Sequence, residues 1–192
     1  ALDIPAAHMV GMSMGGMISQ IVAGRYPDRV LSLTSIMSTS GERGKGEASL
    51  KVSLKMLQPA SKDKTPLDIA VEIWQMLGGP AYPMTDDEIR AQVIAEHKRS
   101  SNPAGYMRQI SAIRTSPSRV ALLQSIKVPT LIIHGNQDVL VPVSGGIDTA
   151  KHITHAELVR FEGMGHTLPR ALLETFADLI LKNSNNISEI GA

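Results

Sequence analysis

Apolar positions along the chain follow two rhythms. Near-continuous apolar runs mark strands buried on both faces of a parallel sheet. The strongest is Val128-Pro129-Thr130-Leu131-Ile132-Ile133-His134-Gly135, bounded by Pro and Gly, and the stretches Val30–Ile36 and Glu157–Phe161 read as further strands. Ala7-His8-Met9-Val10-Gly11 is a shorter candidate with weak propensity. Wider spacing marks helices. Gly15 to Arg25 sets Met17, Ile18, Ile21 and Val22 on one face and is closed by Pro27. Pro169 to Asn183 begins with proline and spaces Leu172, Leu173, Phe176, Leu179 and Ile180 at helical intervals. Strands alternating with helices predict an α/β fold with a mostly parallel sheet of about four strands.

The rhythm changes in the middle. Between Ser40 and Ser118 no strand pattern occurs, and amphipathic helices are expected over Ala48–Leu57, Pro66–Leu77, Asp86–Lys98 and Ala104–Thr115. Thr85-Asp86-Asp87-Glu88 forms a capping box, in which Thr and Glu satisfy each other's free backbone donors. Pro80, Pro83 and Asn102-Pro103 punctuate the series. The expected organisation is a core of residues 1–40 and 119–192 interrupted by an all-helical insertion, 41–118.

Composition narrows the possibilities. With 43% hydrophobic and 19% charged residues among 192, the chain is globular in type. A net charge of +1 without a dense basic block gives no reason to expect nucleic acid or an anionic membrane as partner. Cysteine is absent, which removes disulfides and thiol nucleophiles together. No continuous apolar run reaches the ~18 residues of a membrane span. The opening Ala1-Leu2-Asp3-Ile4 has no basic-then-apolar prelude, so the default expectation is cytoplasmic.

Candidate chemistry begins at Gly11-Met12-Ser13-Met14-Gly15, a G-x-S-x-G pattern between a strand and a helix. Such a turn lifts a serine hydroxyl to the carboxyl end of a sheet in strained backbone geometry that only small neighbours tolerate, so Gly11 and Gly15 are expected to relieve crowding. The helix start then faces any developing oxyanion. Serine needs a base, and the base an orienting acid. Both types follow later strands: Asp138 in His134-Gly135-Asn136-Gln137-Asp138, and His166 in Gly163-Met164-Gly165-His166. The order Ser, Asp, His is that of α/β-hydrolases. The bland readings of these residues are a glycine turn and a turn-forming Asx residue. The other histidines read as packing (His8), a solvated helix end (His97), a core or near-site group (His134) and helix-end surface (His152, His155). Asp148 is set aside because it falls inside a later helix. Met12, Met14 and Met164 flank the candidate positions, either as an adaptable apolar pocket or as core filler.

GMSMGG, then VPTLIIHGNQDVLVP, then EGMGHTLP, resembles the α/β-hydrolase superfamily across nearly the whole chain, most nearly small-molecule serine esterases of the aclacinomycin methylesterase kind. The resemblance implies Ser13 as nucleophile, His166 as base and then acid, Asp138 as orienting carboxylate, and the Met14 backbone N–H as an oxyanion donor. It also implies that the helices from 41 to 118 form a cap over the site, that a small-molecule ester is the substrate, and that neither cofactor nor metal is needed. A carbon–carbon bond hydrolase or perhydrolase uses the same arrangement, and a non-catalytic binding module is the reading from another class. The family's second oxyanion donor comes from a loop after an earlier strand. Only twelve residues precede Ser13. The expectation is therefore an incomplete α/β-hydrolase fold, the carboxyl-terminal part of a longer esterase. Its four strands would lie in sequence order with the nucleophile strand at one edge, completed by a preceding segment or a second chain.

Overall fold

A computed structural model describes residues 3–57, 63–100 and 102–186. Four parallel strands form one sheet in the order β1 (Ala7–Met12), β2 (Val30–Ile36), β3 (Thr130–Gly135), β4 (Glu157–Phe161). Each strand lies beside its neighbour in sequence, and β1 is at an edge. Parallel neighbours require crossover connections, and helices supply them. α1 (Met14–Arg25) links β1 to β2, and α7 (Ser144–His152) links β3 to β4.

The alternation of side chains across the pleat gives the sheet two covered faces. On one, Leu33 packs with Ala23 of α1, Leu123 of α6 (Val120–Ser125) and Ile153 after α7. On the other, Ile36, Leu131 and Ile133 meet Phe176 of the last helix, α8 (Leu173–Asn185). Asn183 of α8 donates to Leu33 O and Thr34 Oγ1, satisfying polar groups inside this second layer. Every β3 residue is buried, as its unbroken apolar run requires.

Between β2 and β3 the described residues form only helices: α2 (Leu50–Leu57), α3 (Pro66–Leu77), α4 (Asp86–Arg99), α5 (Pro103–Thr115) and then α6. The Thr85–Glu88 capping box opens α4 as expected, and a second one, Thr65 with Asp68, opens α3.

Two expectations need correction. The buried face of α1 is only partly the expected one: Met17 is buried and Val22 packs against the core, but Gly16, Ser19, Gln20 and Ala23 make up the rest of the buried face, and Ile18 is exposed. Small residues let the helix lie close on the sheet, and Gln20 is satisfied there by Ser35 and Arg119. The terminal helix also starts later than Pro169. A 3-10 turn, Arg170–Leu172, intervenes before α8.

Candidate active site

The turn after β1 carries the first element of the site. Ser13 has φ 52° and ψ −119°, in the left-handed half of backbone space that disfavours side chains. Strain of this kind costs about 1–3 kcal/mol and persists only where the surroundings hold it. Here Ser13 N–H donates to Ile36 O at 2.9 Å and the Ser38 hydroxyl donates to Ser13 O at 2.9 Å. A Cβ on Gly11 would lie 2.3 Å from Gly15 O and 2.5 Å from Ser19 Oγ, so only glycine fits there. Gly15 does not share that role, because a Cβ on it would meet nothing within 4 Å. The second crowded position is Gly16, where a Cβ would sit 2.7 Å from Ser38 Cβ. The Met14 N–H is the first of α1 and has no intrahelical acceptor.

The second and third elements come from loops stitched to one another. Gln137 N–H donates to Met164 O (3.0 Å), and Gly163 N–H to the Gln137 side-chain oxygen (2.5 Å). These bonds tie the loop after β3 to the loop after β4. As a result His166 Nδ1 lies 2.7 Å from Asp138 Oδ2 and His166 Nε2 lies 3.0 Å from Ser13 Oγ. Three residues separated by up to 153 positions thus form one hydrogen-bonded chain at the carboxyl ends of the strands.

Asp138 is 4% exposed. Burial is the largest influence on its carboxyl and pushes the pKa up, but hydrogen bonds from His134, His166 and the Val141 N–H, with the charge of His166, together hold it below the ordinary carboxylate value. Its Oδ1 accepts from the N–H groups of Leu140 and Val141 at 2.9 and 2.8 Å, which fixes the carboxylate plane. His134 is the near-site residue whose part sequence reasoning left undefined. It is fully buried, its Nε2 lies 2.7 Å from Val141 O and 3.5 Å from Asp138 Oδ2, and its Nδ1 has no hydrogen-bond partner among the described residues. The signal was its place four residues before Asp138 at the end of a buried strand. Asp148 sits elsewhere, taking the Ser40 hydroxyl at 2.6 Å. His8 meets Ser32 Oγ, His155 meets Val128 O, and His97 is exposed.

The helical insertion reaches the histidine loop. His166 N–H donates to Leu77 O at 2.7 Å, and Ala81 N–H to Gly163 O at 3.1 Å. The approach is close enough that a Cβ on Gly79 would lie 1.9 Å from Gly163 O, and one on Gly165 would lie 2.2 Å from Leu77 O. A cavity of about 620 Å³ opens against Ser13, lined on its apolar side by Met14, Met17, Ile110, Ile113 and Leu140. The methionines divide: Met14 lines the cavity, Met164 is core and Met12 is exposed. Among the described residues no cluster of His, Asp and Glu is arranged to hold a metal ion, and no helix is long and apolar enough to cross a membrane.

A strained serine at a strand–helix turn, joined through histidine to a buried carboxylate on a parallel sheet, defines a protein of the α/β-hydrolase fold. The chain belongs to the serine aminopeptidase S33 family of hydrolases, whose pattern matches residues 5–171. It is 30% identical over 204 residues to rhodomycin D methylesterase DauP of Streptomyces sp. (strain C5), an alignment covering 94% of this chain and 67% of that protein. It is 31% identical over 185 residues to monoacylglycerol lipase ABHD6 of Bos taurus, covering 90% and 54%. In fold it is similar to a meta-cleavage product hydrolase, CumD (TM-score 0.70, 22% identity, 98% of this chain and 67% of that one). The chain thus spans about half to two thirds of the length of these relatives.

Proposed function

We propose that the chain hydrolyses small-molecule carboxylic esters through an acyl-enzyme on Ser13. The observation that carries this reading is the unbroken sequence of contacts from Asp138 through His166 to Ser13, at 2.7 and 3.0 Å. Ser13 Oγ attacks the ester carbonyl while His166 Nε2 takes its proton, and Asp138 holds Nδ1–H and stabilises the imidazolium. The Met14 N–H donates to the oxyanion. His166 then protonates the leaving alcohol, and water repeats the cycle to release the acid. The likeness to a methylesterase and a monoacylglycerol lipase supports an ester as substrate.

In this reading residues 41–118 are a cap whose helices shape the substrate cavity. The free edge of β1 receives a preceding segment of a longer chain, or a second chain, which also brings the second oxyanion donor. A monodisperse, fully active monomer of this chain alone would overturn that last point, since one missing donor lowers turnover by ~10²–10³.

A fluorophosphonate probe tests the core of the proposal. Covalent labelling is expected on Ser13, absent in Ser13→Ala and strongly reduced in His166→Ala. A folded protein that takes no label would instead be a binding module.

A further inference from the structure

Arg119 is a buried cation. It is 4% exposed, and no carboxylate among the described residues pairs with it. Its Nε donates to Gln20 Oε1 at 3.0 Å and its Nη2 to Thr39 O at 2.6 Å, both neutral acceptors. Nη1 makes no hydrogen bond to a described residue. Burial pushes the guanidinium pKa down, the mark of a desolvated charge that lacks compensation. Buried charges are ordinarily paired, and an arginine fork is matched in shape to a carboxylate.

The position of this group is informative. Arg119 lines the cavity that holds Ser13 and also the adjoining space beside α1 and α5. Gln20, its partner, lies seven residues beyond Ser13 on α1, about 10 Å along the helix axis. Gly41, at φ 75°, packs over the guanidinium: a Cβ there would come within 3.1 Å of Nη1 and 3.2 Å of Cζ and Nη2. The lining of the same cavity includes apolar side chains, among them Met14, Met17 and Ile113. The charged lining of the cavity contains three cations, Lys45, Arg114 and Arg119, against two carboxylates, Glu42 and Glu47. Both carboxylates are engaged locally, Glu42 by the Ser118 hydroxyl and Glu47 by the Gly44 N–H.

We infer that Arg119 is the anion subsite of the Ser13 cavity, taking a carboxylate carried by the substrate itself at the far end of an apolar spacer. The preferred substrate is then a half-ester of a dicarboxylic acid: the ester carbonyl at Ser13, the free carboxylate on Nη1 of Arg119. This inference rests on the ester-hydrolase reading and specifies its substrate class.

The test compares, for a homologous series of dicarboxylic acids, the monomethyl ester with the dimethyl ester of the same acid. The two differ in one charge. The kcat/KM ratio of monoester to diester is expected to exceed about tenfold at the best length, the range of a charged hydrogen bond. It falls to near one in Arg119→Met, is largely kept in Arg119→Lys, and drops in Gly41→Ala, which crowds Nη1 without removing the charge. A purely structural arginine would lower turnover of both esters together and leave the ratio unchanged, and that result overturns the proposal. So does a ratio near one in the unsubstituted protein, or stimulation of diester turnover by free acetate without a monoester preference. If Arg119→Met does not fold, Arg119→Lys and Gly41→Ala carry the comparison. Failure to hydrolyse any ester would refute the catalytic reading alone. Calorimetry on Ser13→Ala protein then decides: monoester bound more tightly than diester sustains the subsite, and equal or no binding removes it.

Discussion

β3 and β1 each lead into a residue of the same hydrogen-bonded chain, yet their surroundings differ sharply. All six residues of β3 are buried, and Asp138 follows in a loop tied down by backbone and side-chain bonds. Among the described residues β1 has a neighbouring strand on one side only, and Val10 and Met12 remain 49% and 44% exposed. The carboxylate is held by enclosure, while the serine is held by a local turn: Gly11, Gly16 and two hydrogen bonds, one to the end of β2 and one from Ser38, two residues beyond it. Accurate placement of a reactive group therefore does not require that its strand be buried. It requires that the turn be over-determined.

Substitutions can break or sharpen this contrast. The largest effect is expected from Asp138→Asn, which leaves the enclosure intact but presents His166 with the wrong hydrogen-bonding partner; kcat on a simple ester should fall by ~10⁴. Ile133→Ala, at a fully buried β3 position, should cost about 2–5 kcal/mol in urea unfolding. Gly11→Ala tests the turn, since its Cβ would collide with the Gly15 backbone, and a loss of about 1–3 kcal/mol is expected although β1 is an edge strand. Val10→Ala, one residue away and half exposed, should stay within about 0.5 kcal/mol. If Gly11→Ala were as mild as Val10→Ala, the turn would not be the source of order.

Acid sharpens the same comparison. The native pKa of Asp138 is depressed, so its stabilising contribution is fully present above the unfolded carboxylate value near 3.8. It is lost as pH falls below that value through the depressed native pKa. The stability difference between Asp138→Asn and the unsubstituted protein should be constant from neutrality to about pH 5 and change only below it, measured by unfolding midpoints across pH. A midpoint difference that already changes between pH 7 and pH 5 would place the titration elsewhere.

Much of this was legible in the sequence, for reasons visible in particular residues. The apolar run before Gly135 specifies a strand buried on both faces, and β3 is one. Glycine and proline punctuation located the helices of the insertion to within a few residues, α3 at its observed bounds. Ser13, Asp138 and His166, placed after β1, β3 and β4, come together because parallel strands deliver their ends to one edge. What stayed hidden depends on contact across the fold. The buried face of α1 was misread because Gly16, Ser19 and Gln20 face the sheet for closeness and hydrogen bonding, not for apolar content. The Thr65–Asp68 box escaped notice because its N3 residue is Asp, outside the usual Glu or Gln pattern. Arg119 follows Ser116-Pro117-Ser118 in a polar connector, and nothing local reveals that its guanidinium ends up inside.

The contact of Gly79 with Gly163 and of Gly165 with Leu77 O has a consequence for how such proteins can diversify. The helical insertion is not an independent accessory that could be exchanged for another of the same length. Its α3 terminus and the histidine loop share a seam too narrow for any side chain, and His166 takes one of its backbone bonds across it. A chimaera carrying a foreign insertion would have to supply a glycine at the place of Gly79 and a carbonyl at that of Leu77 in the same register, or the histidine would lose its alignment with Ser13. Freedom to vary lies at the α2 and α5 side of the cavity, away from the seam.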